Sequence, residues 1–225
     1  MRTLDTDARA GNDEAGRTCS IVIDKTGMGA VAARSEAFDG GIALALGFGR
    51  QGSSFDRLVA RIACRSVVER LLEGMRVADS FADARRKARR LCEGAGTHER
   101  VSLLAACVRD GTLESEWVGD VTLVRLRGSV ETMLCGQAMP QASYGGLAKA
   151  HPSFAKREVV DGDRLVAMSP NMLGPMRRLH LEASGGQDRP TEHEICVRLV
   201  HMALCSRVDH AALVVAGTRP NPVQL

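Results

Sequence analysis

The feature that most constrains this chain is the apolar run Ile42-Ala43-Leu44-Ala45-Leu46, which closes on Gly47-Phe48-Gly49. Strand residues alternate between two faces, and here neither face carries a polar group. Such a run belongs in a central strand buried on both sides. The two glycines spaced by one predict a tight turn, and an amphipathic segment from about Phe55 predicts a helix after it. In many α/β enzymes a junction of this kind carries a phosphate site or a metal ligand. In this chain Leu44 to Gln51 offers no carboxylate to bind a hard cation.

The helix that follows is expected from about Asp56 to Glu73. Leu58, Ile62, Val67 and Leu71, with Val59, Ala63 and Ser66 beside them, form its core-facing stripe. Ser54 is the expected N-cap and Gly74 the expected stop. A second helix, about Ser80 to Cys92, has Phe81, Ala84, Ala88 and Leu91 on one side. Arg85, Arg86, Lys87, Arg89 and Arg90 crowd the rest of it. They read first as a solvated outer face, and otherwise as a basic docking face for phosphate or an acidic partner.

Beyond Gly96 the pattern shifts to period two. Val101–Val108 and Leu113–Val118 flank an Asp110-Gly111 hairpin turn, and Thr122–Leu126 and Val130–Leu134 continue the meander. A first strand over Cys19–Ile23, a short one over Ala30–Ala33, and strands at Arg164–Met168 and Ala211–Ala216 complete the set. Residues 136–157, which hold Pro140, Gly145, Gly146 and Pro152, read as an irregular exposed insertion. Pro190-Thr191 opens a last helix ending near Cys205. The fold class is therefore α+β: two packed antiparallel β-sheets flanked by helices. One domain is expected over residues 17–216, between disordered tails at 1–16 and 217–225.

With 225 residues and 44% hydrophobic content, the chain can bury a core without disulfides or structural metals. Its seven cysteines form no C-x-x-C pair, so small buried hydrophobes in a reducing compartment are expected. No apolar run nears the roughly 20 residues of a membrane span. Met1 to Asp5 does not begin a signal peptide, so the expected location is cytoplasmic. A net charge of +3 and only 3% aromatic residues do not suggest a nucleic-acid binder. The rarity of lysine points to a GC-rich bacterial coding sequence.

Taken in order, several pieces resemble the protein phosphatase 2C family of metal-dependent serine/threonine phosphatases. They are the strand, glycine turn and long helix; Trp117-Val118-Gly119-Asp120; Gly162-Asp163-Arg164-Leu165-Val166-Ala167-Met168-Ser169; and Val208-Asp209-His210 before the last strand. The resemblance spans roughly residues 17–216. It implies a pair of Mg²⁺ or Mn²⁺ ions that activate a water for in-line attack on a phosphoryl group. Two dications about 4 Å apart repel by roughly 16 kcal/mol at an effective dielectric of about 20, so carboxylates must offset them.

Aligned on the family's patterns, the bridging aspartate position is Leu46, followed by Gly47, and a second aspartate position is Pro170. Asp209 keeps the third, with His210 in place of asparagine. The family's N-E-D falls near Glu36, and its phosphate-binding arginine at Val31 or Ala32. Asp209 and Glu36 are thus the residual metal candidates, and no catalytic residue is expected. The implied protein is a pseudophosphatase without cofactor, a regulatory or scaffold protein in bacterial signalling. Its partner would be another protein: a kinase, a phosphoprotein, or a secretion or signalling component. The alternative is an atypical serine/threonine phosphatase with one Mg²⁺ or Mn²⁺ held by Asp209, Glu36 and either Asp39 or His210. Asp209 could equally order a turn, and Asp120 the turn after Gly119. Oligomeric state is left open by the sequence.

Overall fold

The computed structural model describes residues 18–24, 30–49, 53–135, 146–149, 151–160, 162–183, 191–205 and 210–218. Among them, ten strands form two five-stranded antiparallel sheets. The first runs β1 (Thr18–Asp24), β10 (His210–Gly217), β9 (Arg164–Met168), β6 (Thr122–Arg127), β7 (Val130–Cys135). The second runs β2 (Ala30–Phe38), β3 (Gly41–Gly49), β4 (Val101–Arg109), β5 (Thr112–Val118), β8 (Ser153–Glu158). Helices α1 (Ser54–Leu72) and α2 (Val77–Ala95) and the one-turn α3 (Gly146–Lys149) cover the second sheet. Helices α4 (Leu173–Ala183) and α5 (Glu192–Cys205) cover the first.

The pleat sorts β3 between two cores. Ile42, Leu44 and Leu46 point between the sheets, where they meet Leu123, Leu165, Ala167 and Val214. Ala43 and Ala45 point to α1. The small residues on that face let the helix come close: a Cβ on Gly47 would lie 3.1 Å from the Ala60 methyl and 3.2 Å from Cys64 Sγ. The expectation of a doubly buried strand therefore holds, with large residues on one face and small ones on the other.

Several local expectations change. Strand β2 does not stop at Ala33 but pairs with β3 as far as Phe38, because Asp39-Gly40 is the tight turn joining them. The N-cap of α1 is Ser53, one residue before Ser54; its hydroxyl accepts the Asp56 N–H at 2.9 Å. Leu58 is not in the core stripe and is 47% exposed. Val59, Ala60, Ala63, Cys64, Val67 and Leu71 form the buried face instead. Helix α2 starts at Val77 and ends on a left-handed Gly96. The stretch expected to be irregular contains α3 and the edge strand β8. Helix α4 had no counterpart in the expected elements. The ordered chain also runs past Gly217: the Thr218 hydroxyl donates at 2.7 Å to the Val160 carbonyl. Residues 1–16 and 219–225, expected as tails, lie outside the described residues.

Two carboxylates anchor the layers. Asp163 is fully buried before β9; it accepts two bonds from Arg127 at 2.6 and 2.8 Å and one from the Val160 N–H at 3.0 Å. Asp83 on α2 faces α1 and contacts the Ser66 hydroxyl, Lys87 Nζ and the Arg86 guanidinium, at 3.1, 3.1 and 3.0 Å. Burial alone would raise both carboxyl pKa values, but these donors outweigh it and hold both below the ordinary 3.8. A depressed folded-state pKa gives stability that is present above the unfolded value and lost as pH falls through and below it. The urea midpoint should therefore stay flat from about pH 7 to about pH 5 and fall below about pH 4. Asp163→Asn should flatten part of that acid fall; an unchanged acid limb in the variant would contradict this assignment.

Candidate functional site

The short β5–β6 connection and the order β1 to β2 bring one end of each sheet together. That end carries the C-terminal part of β3, the start of β2, the Gly119-Asp120 turn, the Ser169-Pro170 corner after β9 and the start of β10 at His210. Leu46, the Gly119-Asp120 turn and the Ser169-Pro170 corner, three of the places that carry the phosphatase resemblance, thus gather at one edge of the sandwich, whereas Gly162-Asp163 lies at the opposite end of β9 and Glu36 nearer the hairpin end of β2.

What stands there differs from a metal centre. Leu46 is fully buried between the sheets, across from Ala33 on β2 and Leu104 on β4. It belongs to the same apolar cluster as Val31, Val121, Leu165 and Ala212. Pro170 is exposed and takes the first position of a 3-10 turn, Pro170–Met172. That corner is tied down by Ser169, which is fully buried. Its N–H donates to the Ala212 carbonyl at 3.0 Å, its hydroxyl accepts the Ala212 N–H at 3.2 Å and donates to Asn171 Oδ1 at 2.7 Å. Backbone and corner are kept; neither position carries a carboxylate.

Glu36 is not brought to this place. Along β2, Val31 and Ala33 face between the sheets while Ala32 and Phe38 face the helices. Glu36 shares the helix-side parity. It accepts Arg34 Nη2 at 3.1 Å, and Arg34 also reaches Glu69 of α1 at 3.7 Å. Asp39 sits at the β2–β3 hairpin, the opposite end of β3 from Leu46. Asp209 lies outside the described residues, as does Arg50, and nothing is described of the His210 side chain. Among the described residues no three His, Cys, Asp or Glu side chains group as they would around a metal ion. A binuclear Mg²⁺ or Mn²⁺ centre needs hard oxygen ligands, and a core leucine and a proline do not supply them.

The Gly-Asp of the turn has a structural reason. Gly119 holds φ at +79°, and Ser102 lies directly under its Cα, so a Cβ there would meet the Ser102 hydroxyl. The Ser102 oxygen accepts the Asp120 N–H at 3.0 Å. The Cys64 thiol, behind Gly47 on α1, is pushed up to about 12 by burial, partly opposed by Arg34. It is a packing group, not a nucleophile.

The basic row on α2 is largely occupied within the molecule. Arg85 Nε donates to the Leu147 carbonyl at 3.0 Å and Arg89 to the Ala148 carbonyl at 3.4 Å, so both hold α3. Arg86 and Lys87 are the partners of Asp83. Arg90 is exposed. Sequence reading missed Glu99, which is buried and completes the α3 anchor by accepting the Val101 and Ala148 N–H groups at 2.6 and 2.7 Å. No local pattern marks it. Asp163, by contrast, sits inside the Gly162-Asp163-Arg164 motif, a local pattern that marks it.

No protein-family model matches the sequence, and no curated protein matches it. Solved structures do. Pseudomonas aeruginosa PppA, described as a key regulatory component of the T6SS, superposes with TM-score 0.68 at 18% identity, covering 90% of this chain and 98% of its own. The Mycobacterium tuberculosis serine/threonine phosphatase PstP/Ppp gives 0.70 at 16% identity, covering 91% and 99%. A structure from the bacterial stressosome, a system adapted to control secondary messenger signaling, gives 0.64 at 20% identity, covering 89% and 98%.

Two substitutions probe the site. Gly119→Ala should cost about 2 kcal/mol or more through strain at positive φ and contact with Ser102, read as a lower urea midpoint. Leu46→Asp places a carboxylate in the inter-sheet core and should cost about 3 kcal/mol or more, roughly 6–12 °C in Tm. An unchanged Tm for Leu46→Asp would mean the position is open to water. The chain thus has the protein phosphatase 2C fold, with an apolar core residue where that fold's bridging carboxylate is expected.

Proposed function

We propose that this protein is a pseudophosphatase: a phosphatase 2C fold that acts by binding another protein and does not hydrolyse phosphoesters through metal ions. One observation carries the reading. Leu46, at the bridging-ligand position, is fully buried and packed as a core residue. Without a shared carboxylate, nothing there offsets the repulsion between two dications. Pro170 removes a second ligand, and Val31 and Ala32 leave no phosphate-binding arginine on that part of β2.

The regulatory part of the proposal draws on the neighbours. PppA is described as a regulatory component of a secretion system, and another neighbour comes from a signalling assembly. A kinase, a phosphoprotein or a secretion or signalling component is the class of partner that this chain would bind. Among the described residues no helix is long and apolar enough to cross a membrane. A one-metal phosphatase built on Asp209 and Glu36 is the weaker reading, because Glu36 lies on the helix side of β2 and pairs with Arg34.

The purified chain, given Mn²⁺ or Mg²⁺ and a phosphoserine or phosphothreonine peptide, should release no phosphate above the no-protein background. Robust release that disappears in Asp209→Ala would overturn the proposal.

A further inference from the structure

The outer face of α1 has a pattern that neither the sandwich core nor the proposed binding role uses. Leu58 and Leu72 are 47% and 40% exposed. They stand two heptads apart, so they lie on one side of the helix. Between them the outward residues are Ile62, Arg65 and Glu69, which completes a 4-3-4-3 spacing. The buried stripe of α1 is on the other side, so this row is not a core pattern continued outward.

The charges are arranged in halves. On the side that Leu58 and Leu72 share, Arg61 and Arg65 precede Glu69 and Glu73, while Arg70 turns away to Asp83 of α2 at 3.4 Å. Helix stability does not call for that order, because the macrodipole favours acids near the N-terminus and bases near the C-terminus. An antiparallel copy of the same face does call for it. If a twofold axis passes at Arg65, Leu58 stands level with Leu72 of the second copy and Arg61 with its Glu69. Arg65 lies on the axis and is paired with Glu69 of its own helix at 2.6 Å, and Arg34 also reaches Glu69 at 3.7 Å, so Arg61 of the second copy would add a third cation to that carboxylate. A twofold contact must be complementary to itself, and this face meets that condition at Leu58 with Leu72 and at Arg61 with Glu69.

We propose that two copies of this chain associate through antiparallel α1 helices, with the twofold at Arg65. The occupant of the face is therefore a second copy of the chain. A single helix pair is smaller than the standard stable interface, so the dimer is weak, concentration-dependent and sensitive to salt.

Sedimentation equilibrium of the full chain at low salt, from about 5 µM to about 500 µM, should show mass rising from monomer towards dimer. Arg61→Glu puts like charges opposite Glu69 and should weaken association about tenfold or more. Combining it with Glu69→Arg should restore association, because the pair is re-formed with its signs exchanged. Arg61 is exposed and Glu69 partly so, and circular dichroism and Tm check the fold of each variant. In a Cys205→Ser background, Arg65→Cys should form a disulfide-linked dimer under mild oxidation, whereas Leu58→Cys should not. A monomer at every concentration, a dimer indifferent to Arg61→Glu, failure of the double exchange to rescue, or cross-linking through Leu58→Cys in place of Arg65→Cys would each overturn the proposal.

Discussion

The structure depends on the close packing of β3 between two layers. Its small face, Ala43, Ala45 and Gly47, allows α1 to approach the sheet, and its large face, Ile42, Leu44 and Leu46, fills the space between the sheets. A metal-dependent phosphatase of this fold must interrupt that apolar face with a carboxylate at the strand's end. Here the leucine lets the core run on to the place where a cleft would hold ions. The same residue therefore fills the core and offers no oxygen ligand. A core that is apolar at this point also opposes any charge brought to it, since a buried ion without partners is far costlier than the packing it displaces.

Polar groups do other work in this molecule. Asp163 with Arg127, Asp83 with Ser66, Arg86 and Lys87, and Glu99 with the backbone of β4 and α3 all join separate elements. Arg85 and Arg89 extend the same logic by gripping the carbonyls of α3. The family-like Gly119-Asp120 and Ser169 corners also hold backbone to backbone through hydroxyls. Among the described residues, these parts of the phosphatase pattern shape the chain.

Much of this was legible in the sequence for identifiable reasons. The run Ile42 to Leu46 specified a doubly buried strand, and Asp110-Gly111 specified its hairpin, because both signals are local. The two-sheet sandwich followed from the order of such elements. Other features depended on register or distance. Glu36 looked available until the pairing of Ala33 with Leu46 fixed the parity of β2 and put it on the helix side. The arginines of α2 looked solvated because their acceptors, Leu147 and Ala148, lie about sixty residues later in the chain. Leu58 fits a helical stripe by spacing, yet the smaller Val59, Ala60 and Ala63 are what the sheet can accommodate. Helix α4 was hidden by Gly174 and Pro175 near its start, where both are tolerated in a first turn.

The central claim is that the Leu46 end of the sandwich does not hold catalytic divalent ions. The most direct measurement is thermal unfolding of the full chain with and without Mn²⁺, because an ion bound only by the folded state raises Tm as its concentration exceeds the dissociation constant. Millimolar Mn²⁺ should leave Tm unchanged, and equally so in Asp209→Ala. A Tm that climbs with Mn²⁺ in the native chain but not in Asp209→Ala would contradict the account.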